Sequence, residues 1–390
     1  MEQVLSKDKC SGCHACYSVC PRNAITMKMD KEGFLYPQID QNKCINCFLC
    51  RGACPVLSMD NVENELPKKI CYAACAKNHE ERRTSSSGGV FSAIARQIIN
   101  EDGFVCGALF DEHLTLQHEV IQTETNLMRL KGSKYIQSKI GDSFIIIKEI
   151  LSSGRKVLFC GTPCQVAGLK SFLKSDPDNL FTVDLICHGV PSPGVFNKYL
   201  QEKTQKRVID VRFREKTVNE QDTEFCISLE DGMISKERTR DNLFYQGFIK
   251  NYYLRPSCYD CGFKGIHRSS DITIGDFWGV QEYHPQFSDK AGTSSIIVNT
   301  SKGKKVFEII KDKLHCESAK LDEITQWNTC YYQSVACTHA RSDFFDLIET
   351  SSIEDTVRIL MMKEKKEEKH HPLKSLEKYI QSIVNGFLQR

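Results

Sequence analysis

Apolar residues recur along this chain with two periods. Val90, Phe91, Ile94, Ile98 and Ile99 fall at helical spacing, and the Ser85-Ser86-Ser87-Gly88-Gly89 run before them supplies a small-residue loop with serine available as N-cap. Short apolar runs predict strands over 104–109, 156–160, 183–187, 208–213, 224–229, 271–275 and 295–299, alternating with helical stretches near 165–174, 195–205, 241–250 and 302–313. That alternation implies a mixed α/β body, α+β for the chain as a whole.

The pattern stops at both flanks of this body. Residues 57–69 hold acids, asparagines and Pro67 without apolar periodicity, which places a linker over 61–69 between a head at 1–60 and a body at 70–345. After about Ser352 a helix runs into Lys363-Glu-Lys-Lys-Glu-Glu-Lys-His-His371. A second amphipathic stretch follows, with Leu376, Tyr379, Ile380, Ile383, Val384, Phe387 and Leu388 on its apolar side. Residues 346–390 read as a charged helical tail packed on the body, with a membrane or partner anchor as the alternative.

A length of 390 residues suits two domains. Lysine and arginine number 52 against 50 aspartate and glutamate, so overall charge points to neither nucleic acid nor an anionic membrane. The start has no apolar signal core, and no apolar run reaches the roughly 18 residues of a membrane span, so a soluble cytoplasmic protein without a transmembrane segment is expected.

Twenty cysteines change the picture, because in a long chain without a signal peptide they point to metal or redox chemistry rather than disulfides. Cys10, Cys13, Cys16 and Cys20 before Pro21 recur as Cys44, Cys47, Cys50 and Cys54 before Pro55, each displaced by 34 residues. Both runs read C-x2-C-x2-C-x3-C-P, the spacing of a bacterial-type two-cluster ferredoxin, in which the fourth cysteine crosses to the other cluster. Cys10, Cys13, Cys16 and Cys54 are therefore expected to hold one 4Fe-4S cluster, and Cys44, Cys47, Cys50 and Cys20 the second. Cys10-Ser-Gly-Cys13-His14 also matches a c-type haem attachment site, but explains two cysteines where the ferredoxin reading explains eight. Zinc ribbons pair C-x2-C motifs too, without this repeated four-cysteine spacing. Such a head passes single electrons and leaves bond chemistry to the body.

The body carries a second constellation. Two predicted strands end in cysteine-bearing loops, Cys160-Gly161-Thr162-Pro163-Cys164-Gln165 and Cys187-His188-Gly189, where open α/β sheets place ligands. Cys258-Tyr-Asp-Cys261 follows, then Gly275-Asp276-Phe277-Trp278-Gly279.

Taken with Ser87-Gly88-Gly89, these motifs occur in the order shown by the coenzyme F420 hydrogenase/dehydrogenase beta-subunit family, and the chain resembles a version of it with an N-terminal two-cluster ferredoxin. The resemblance spans roughly residues 70–300. It implies that the body binds FAD and a third 4Fe-4S cluster, the latter through Cys164, Cys187, Cys258 and Cys261. Four thiolates on three loops suit such a site, with zinc or mere packing as alternatives.

For the flavin, the resemblance points to Ser87, Gly88 and Gly89, where glycine admits a pyrophosphate and the helix N-terminus favours its charge; an ordinary helix-entry turn is the plainer reading. Ser133 and Lys134, within Gly132-Ser133-Lys134-Tyr135, offer donors to a phosphate or flavin ring, or form a surface loop. Thr162 is placed to donate beside the proposed cluster. His188 is the candidate catalytic residue, as a proton relay to a reduced flavin, against a structural role. Cys71, Cys75, Cys106, Cys160, Cys226, Cys316, Cys330 and Cys337 receive no chemistry, since cysteine is often buried as a small apolar side chain.

The expected function is that of an iron-sulfur flavoprotein oxidoreductase. Electrons pass singly between a redox protein and the head, through the body cluster to FAD, and on to a two-electron organic substrate or the deazaflavin coenzyme, in either direction. The alternatives are a non-catalytic electron-relay subunit of a larger complex and a zinc-stapled interaction module joined to a ferredoxin.

Overall fold

A computed structural model describes residues 3–58, 69–217 and 222–370. Residues 61–68 of the expected linker and the amphipathic stretch from Leu376 lie outside them.

In the head, two thiol-bearing loops each lead into one helical turn, Ala15–Ser18 and Leu49–Gly52, with a hairpin of β1 (Ile25–Met29) and β2 (Leu35–Ile39) between them. The repeat read from the cysteines recurs in the backbone. Gly12 and Asn46, 34 positions apart, have φ of 68° and 54°, and His14 and Phe48, also 34 apart, have 62° and 59°. The same left-handed turns thus curl both loops.

The body is built on one sheet containing β3 (Ile70–Ala76), β4 (Phe104–Phe110), β5 (Leu116–Ile121), β6 (Val157–Gly161) and β7 (Leu180–Leu185). A separate three-stranded meander of β8 (Val208–Lys216), β9 (Thr223–Leu229) and β10 (Ile234–Arg238) intervenes before β11 (Ile272–Asp276), β12 (Ser294–Val298) and β13 (Leu314–Ala319) rejoin the main sheet. The order is β13-β3-β12-β11-β7-β6-β4-β5, with β11, β7, β6 and β4 parallel and the outer strands antiparallel.

Helices cover both faces, as parallel strands require. Val105, Leu109, Leu158, Val183 and Ile274 pack with the helices Val90–Asn100 and Ser301–Ile310. Cys106, Val157, Phe159 and Leu180, from alternate positions, pack with the helices Ser143–Ser152 and Pro163–Leu173. The run expected over 183–187 leaves the sheet earlier, at Leu185, so Cys187 lies in the loop beyond the strand.

That exit matters to the site. From β7 the chain passes Cys187, builds the meander, and returns past Cys258 and Cys261 on its way to β11. The meander has an aromatic core that includes Phe196, Phe213, Phe225 and Phe244, and the helix Ile353–His370 closes it with Ile353, Val357 and Leu360 buried. The first turns of the expected tail are therefore part of the body core.

The head is seated on the body. Gly33, at φ 82°, meets Gly194 so closely that a Cβ on either would lie 2.5 or 2.6 Å from the other's Cα. Arg341 donates to both oxygens of Glu32, at 3.0 and 2.5 Å, and Tyr17 donates to Asp142 at 2.8 Å.

Candidate functional site

The structure places the head thiols in two groups. Cys20, Cys44, Cys47 and Cys50 line one small cavity. In the other group burial, reinforced by the neighbouring Cys10 and Cys54 thiols, pushes Cys13 up to about 12. Cys16 is raised well above its ordinary value by burial, with Cys13, Cys10 and Cys54 adding to it. The body-facing group abuts the helix Pro163–Leu173, where a Cβ on Gly168 would sit 2.9 Å from Cys13 Sγ. The second group faces outward, with Cys47 exposed among exposed Ile45 and Phe48.

Cys164, Cys187, Cys258 and Cys261 line a cavity of about 250 Å³. Burial raises Cys164 well above the ordinary thiol value, and Cys261, Cys187 and Cys258 all add to it through their charge. These four thiols therefore face one another across a space. Among the described residues no three histidine, cysteine, aspartate or glutamate side chains converge closely enough to hold a single metal ion. Four thiols around a cavity fit the larger cubane, whose irons each take one thiolate. Lys9, Ser11 and Val56 of the head also line this cavity.

A second cavity, of about 340 Å³, lies where β6, β7 and β11 end, as ligand crevices do in open α/β sheets. Ser87 and Gly89 line one side, at the N-terminus of the helix Val90–Asn100, and Ser133, Lys134, Arg214 and Asp276 line others. Thr162, Cys187, His188, Gly189 and Val190 border this cavity and the thiol cavity alike. The two spaces share a wall.

The expected residues are placed as follows. Gly88 N–H donates to Ser294 Oγ at 2.9 Å and Ser87 Oγ to the Thr293 carbonyl at 3.1 Å, while a Cβ on Gly88 would lie 2.4 Å from the Ala74 carbonyl oxygen. Glycine is needed there for the approach to β3. Ser133 N–H donates to Ser86 Oγ at 2.7 Å, tying the two expected flavin loops together. Lys134 lines the cavity, but its ammonium donates to the carbonyls of Arg129, Leu130 and Lys131 at 3.1, 2.9 and 2.8 Å, at the end of the helix Glu124–Leu130. Burial lowers this group to about 7, and the three carbonyls take up its donors. Thr162 Oγ1 lies 3.1 Å from Cys164 Sγ. His188 has Asn251 Oδ1 at 2.7 Å from Nε2 and Cys330 Sγ at 3.5 Å from Nδ1, so both ring nitrogens have partners within the protein.

Three residues of this region went unrecognised in the sequence. Arg214 donates to Asp276 at 2.6 Å on the cavity wall. His118 lines the cavity with Nε2 3.0 Å from the Cys160 carbonyl oxygen, its ring stacked on Phe159, and burial lowers it to about 4. Arg255 is fully buried between head and body. Its place in Arg255-Pro256-Ser257-Cys258 is the one signal that sets it apart, since it belongs to a thiol loop.

Comparison with known proteins follows the same division. Residues 9–57 match the 4Fe-4S dicluster domain, and residues 154–324 match the family described as the C terminus of the coenzyme F420 hydrogenase/dehydrogenase beta subunit. The second match includes all four body thiols; Ser87–Gly89 and 132–135 precede it. An F(420)H(2) dehydrogenase subunit of Methanosarcina mazei is 23% identical over 329 residues, covering 80% of this chain and 85% of that protein. An uncharacterized protein of Methanocaldococcus jannaschii is 24% identical over 319 residues, covering 70% and 82%. A solved structure of the F420-reducing NiFe hydrogenase complex from Methanosarcina barkeri aligns at a TM-score of 0.45 and 19% identity, covering 70% of this chain and 90% of that one, too distant a likeness to argue from.

Proposed function

Because this chain belongs to the coenzyme F420 hydrogenase/dehydrogenase beta-subunit family and carries a 4Fe-4S dicluster domain at its head, we propose that it is an iron-sulfur flavoprotein oxidoreductase. In this reading single electrons pass between the two head clusters, a third cluster held by Cys164, Cys187, Cys258 and Cys261, and FAD in the neighbouring cavity. When bound, FAD supplies the conversion between one-electron carriers and a hydride equivalent.

The observation that carries the reading is the shared wall, since one short segment, Cys187 to Val190, borders both the thiol cavity and the cavity at the strand ends. A carrier held by the thiols and a ligand in the second cavity would be neighbours by construction. The Ser87–Gly89 loop and the following helix N-terminus suit the anionic part of a dinucleotide. Thr162 orients the Cys164 sulfur, and the Arg214–Asp276 pair holds part of the lining of the second cavity.

The deazaflavin coenzyme is the favoured two-electron partner, supported by the name of the Methanosarcina mazei relative, which is a component of an F420H2 dehydrogenase. That name also favours redox partner proteins, and the outward-facing Cys47 group is where they would exchange electrons. No helix among the described residues is long and apolar enough to cross a membrane.

The test is the double variant Cys258→Ser, Cys261→Ser, purified anaerobically. It is expected to lose about four of about twelve irons and keep the head spectrum, while electrons supplied at the head no longer reach the flavin. Unchanged iron content would remove these cysteines from the ligand set.

A further inference from the structure

Arg255 has no solvent exposure, yet it reaches from a body loop into the head. Its Nε donates to the Cys10 carbonyl at 2.6 Å, Nη2 to the Leu35 carbonyl at 3.0 Å and Nη1 to Gln137 Oε1 at 2.8 Å, with Cys10 Sγ 3.7 Å from Nη2. Tyr36 lies beneath the guanidinium, with its ring centre 4.2 Å away. At the other end of the residue, the Arg255 carbonyl accepts from Cys258 N–H at 2.9 Å. Gln137 completes the clamp by donating to the Ser11 carbonyl at 2.9 Å.

Every one of these partners is a carbonyl, amide, thiol or phenol group, and among the described residues no carboxylate pairs with Arg255. A guanidinium removed from water without an anion is strongly disfavoured. The thiol it touches belongs to the body-facing head group, and four thiolates around a 4Fe-4S core supply the missing negative charge, which grows when that core is reduced. Cys44, the repeat's counterpart of Cys10, has Asn46 Oδ1 at 3.8 Å, and the cation near its group, Arg22, lines the open cavity of those thiols instead of being buried against a cysteine. The two halves of the head are thus alike in backbone, while the buried guanidinium contact is made at Cys10.

We propose that Arg255 is a positioning residue that raises the reduction potential of the head cluster held by Cys10, Cys13, Cys16 and Cys54, and fixes that cluster against the body thiol loop. Hydrogen bonds to cluster sulfurs and local charge are the protein's main levers on such potentials. The consequence is directional: Arg255 favours an electron on the cluster nearer the body. The inference rests on the iron-sulfur reading of the head thiols.

Full-length wild type, Arg255→Lys and Arg255→Gln, prepared anaerobically, are titrated potentiometrically with electron paramagnetic resonance as the readout, beside iron analysis. The expected result is a downward shift of one head-cluster midpoint in Arg255→Gln, a smaller shift in Arg255→Lys, and an unmoved midpoint for the other head cluster. If Arg255→Gln loses iron, Arg255→Lys decides alone by the same criterion. Iron-replete variants with every midpoint at its wild-type value, or with all midpoints shifted equally, would overturn the assignment. A wild type lacking the head clusters' iron and resonance would instead overturn the reading beneath it.

Discussion

The seat of the head on the body can be probed at one atom pair. In Gly194→Ala the new Cβ would lie 2.6 Å from Gly33 Cα, about an ångström inside ordinary carbon contact of roughly 3.5–4.0 Å. Neither side has room to yield. The turn at Gly33 is held by Asp30 Oδ1, which accepts from Glu32 N–H and Phe34 N–H at 3.1 Å each. Gly194 opens a helix whose N-cap Ser192 accepts from Val195 N–H at 3.2 Å while its hydroxyl donates to the Glu32 carbonyl at 2.5 Å. Overpacking of this kind costs about 1–3 kcal/mol, or roughly 5- to 150-fold in the ratio of docked to lifted head at 1.4 kcal/mol per tenfold. Amide hydrogen exchange over residues 30–36 should quicken by that factor. Gly52→Ala, whose Cβ meets nothing within 4 Å, is the control and should leave exchange unchanged. Wild-type protection in Gly194→Ala would refute the contact as a constraint on docking.

Two further perturbations address the second cavity. Arg214→Leu leaves Asp276 without its partner on the cavity wall, a loss of about 1–3 kcal/mol; bound flavin, read by absorbance, should fall while iron content stays constant, and undiminished flavin would exclude Arg214 from that site. Glu81, buried under the Ser85–Gly89 loop, is pushed up by burial but held below its ordinary value of 4.5 overall by Lys131, Ser92 and Arg96. A depressed carboxylate stabilises the fold above its unfolded value and loses that contribution as pH falls through the folded one. Glu81→Gln should therefore lower the melting temperature at pH 7, consistent with roughly 3 kcal/mol for breaking a buried pair, and matter progressively less below about pH 4.5; an equal deficit at both pH values would contradict this.

The sequence carried the head almost completely, because cluster ligation demands a fixed local spacing and both runs were intact. Central strands were equally legible: β6 is apolar on both faces, β11 carries Ile272 and Ile274 on one, and their runs needed no partner to be seen. Strands β1, β2, β3, β5, β10 and β13 were not. β3 is rich in alanine and cysteine, residues that fit between close neighbours and give little period-two signal, and β10 is largely polar and exposed at an edge. The thiols of the body could be grouped only through family resemblance, because 70 residues of meander separate Cys187 from Cys258. Arg255, Arg214 and His118 gain meaning from tertiary contacts, which no local pattern announces. Lys134 shows the converse, a lysine in an apparent binding loop whose side chain donates to carbonyls at the end of the preceding helix.

The central claim is that the head and body together hold three clusters beside one flavin. Iron, acid-labile sulfide, zinc and flavin should be measured on the anaerobically purified full chain. About twelve irons, about twelve sulfides and one FAD per chain are expected from three four-iron clusters. About eight irons, together with zinc and no flavin, would contradict it.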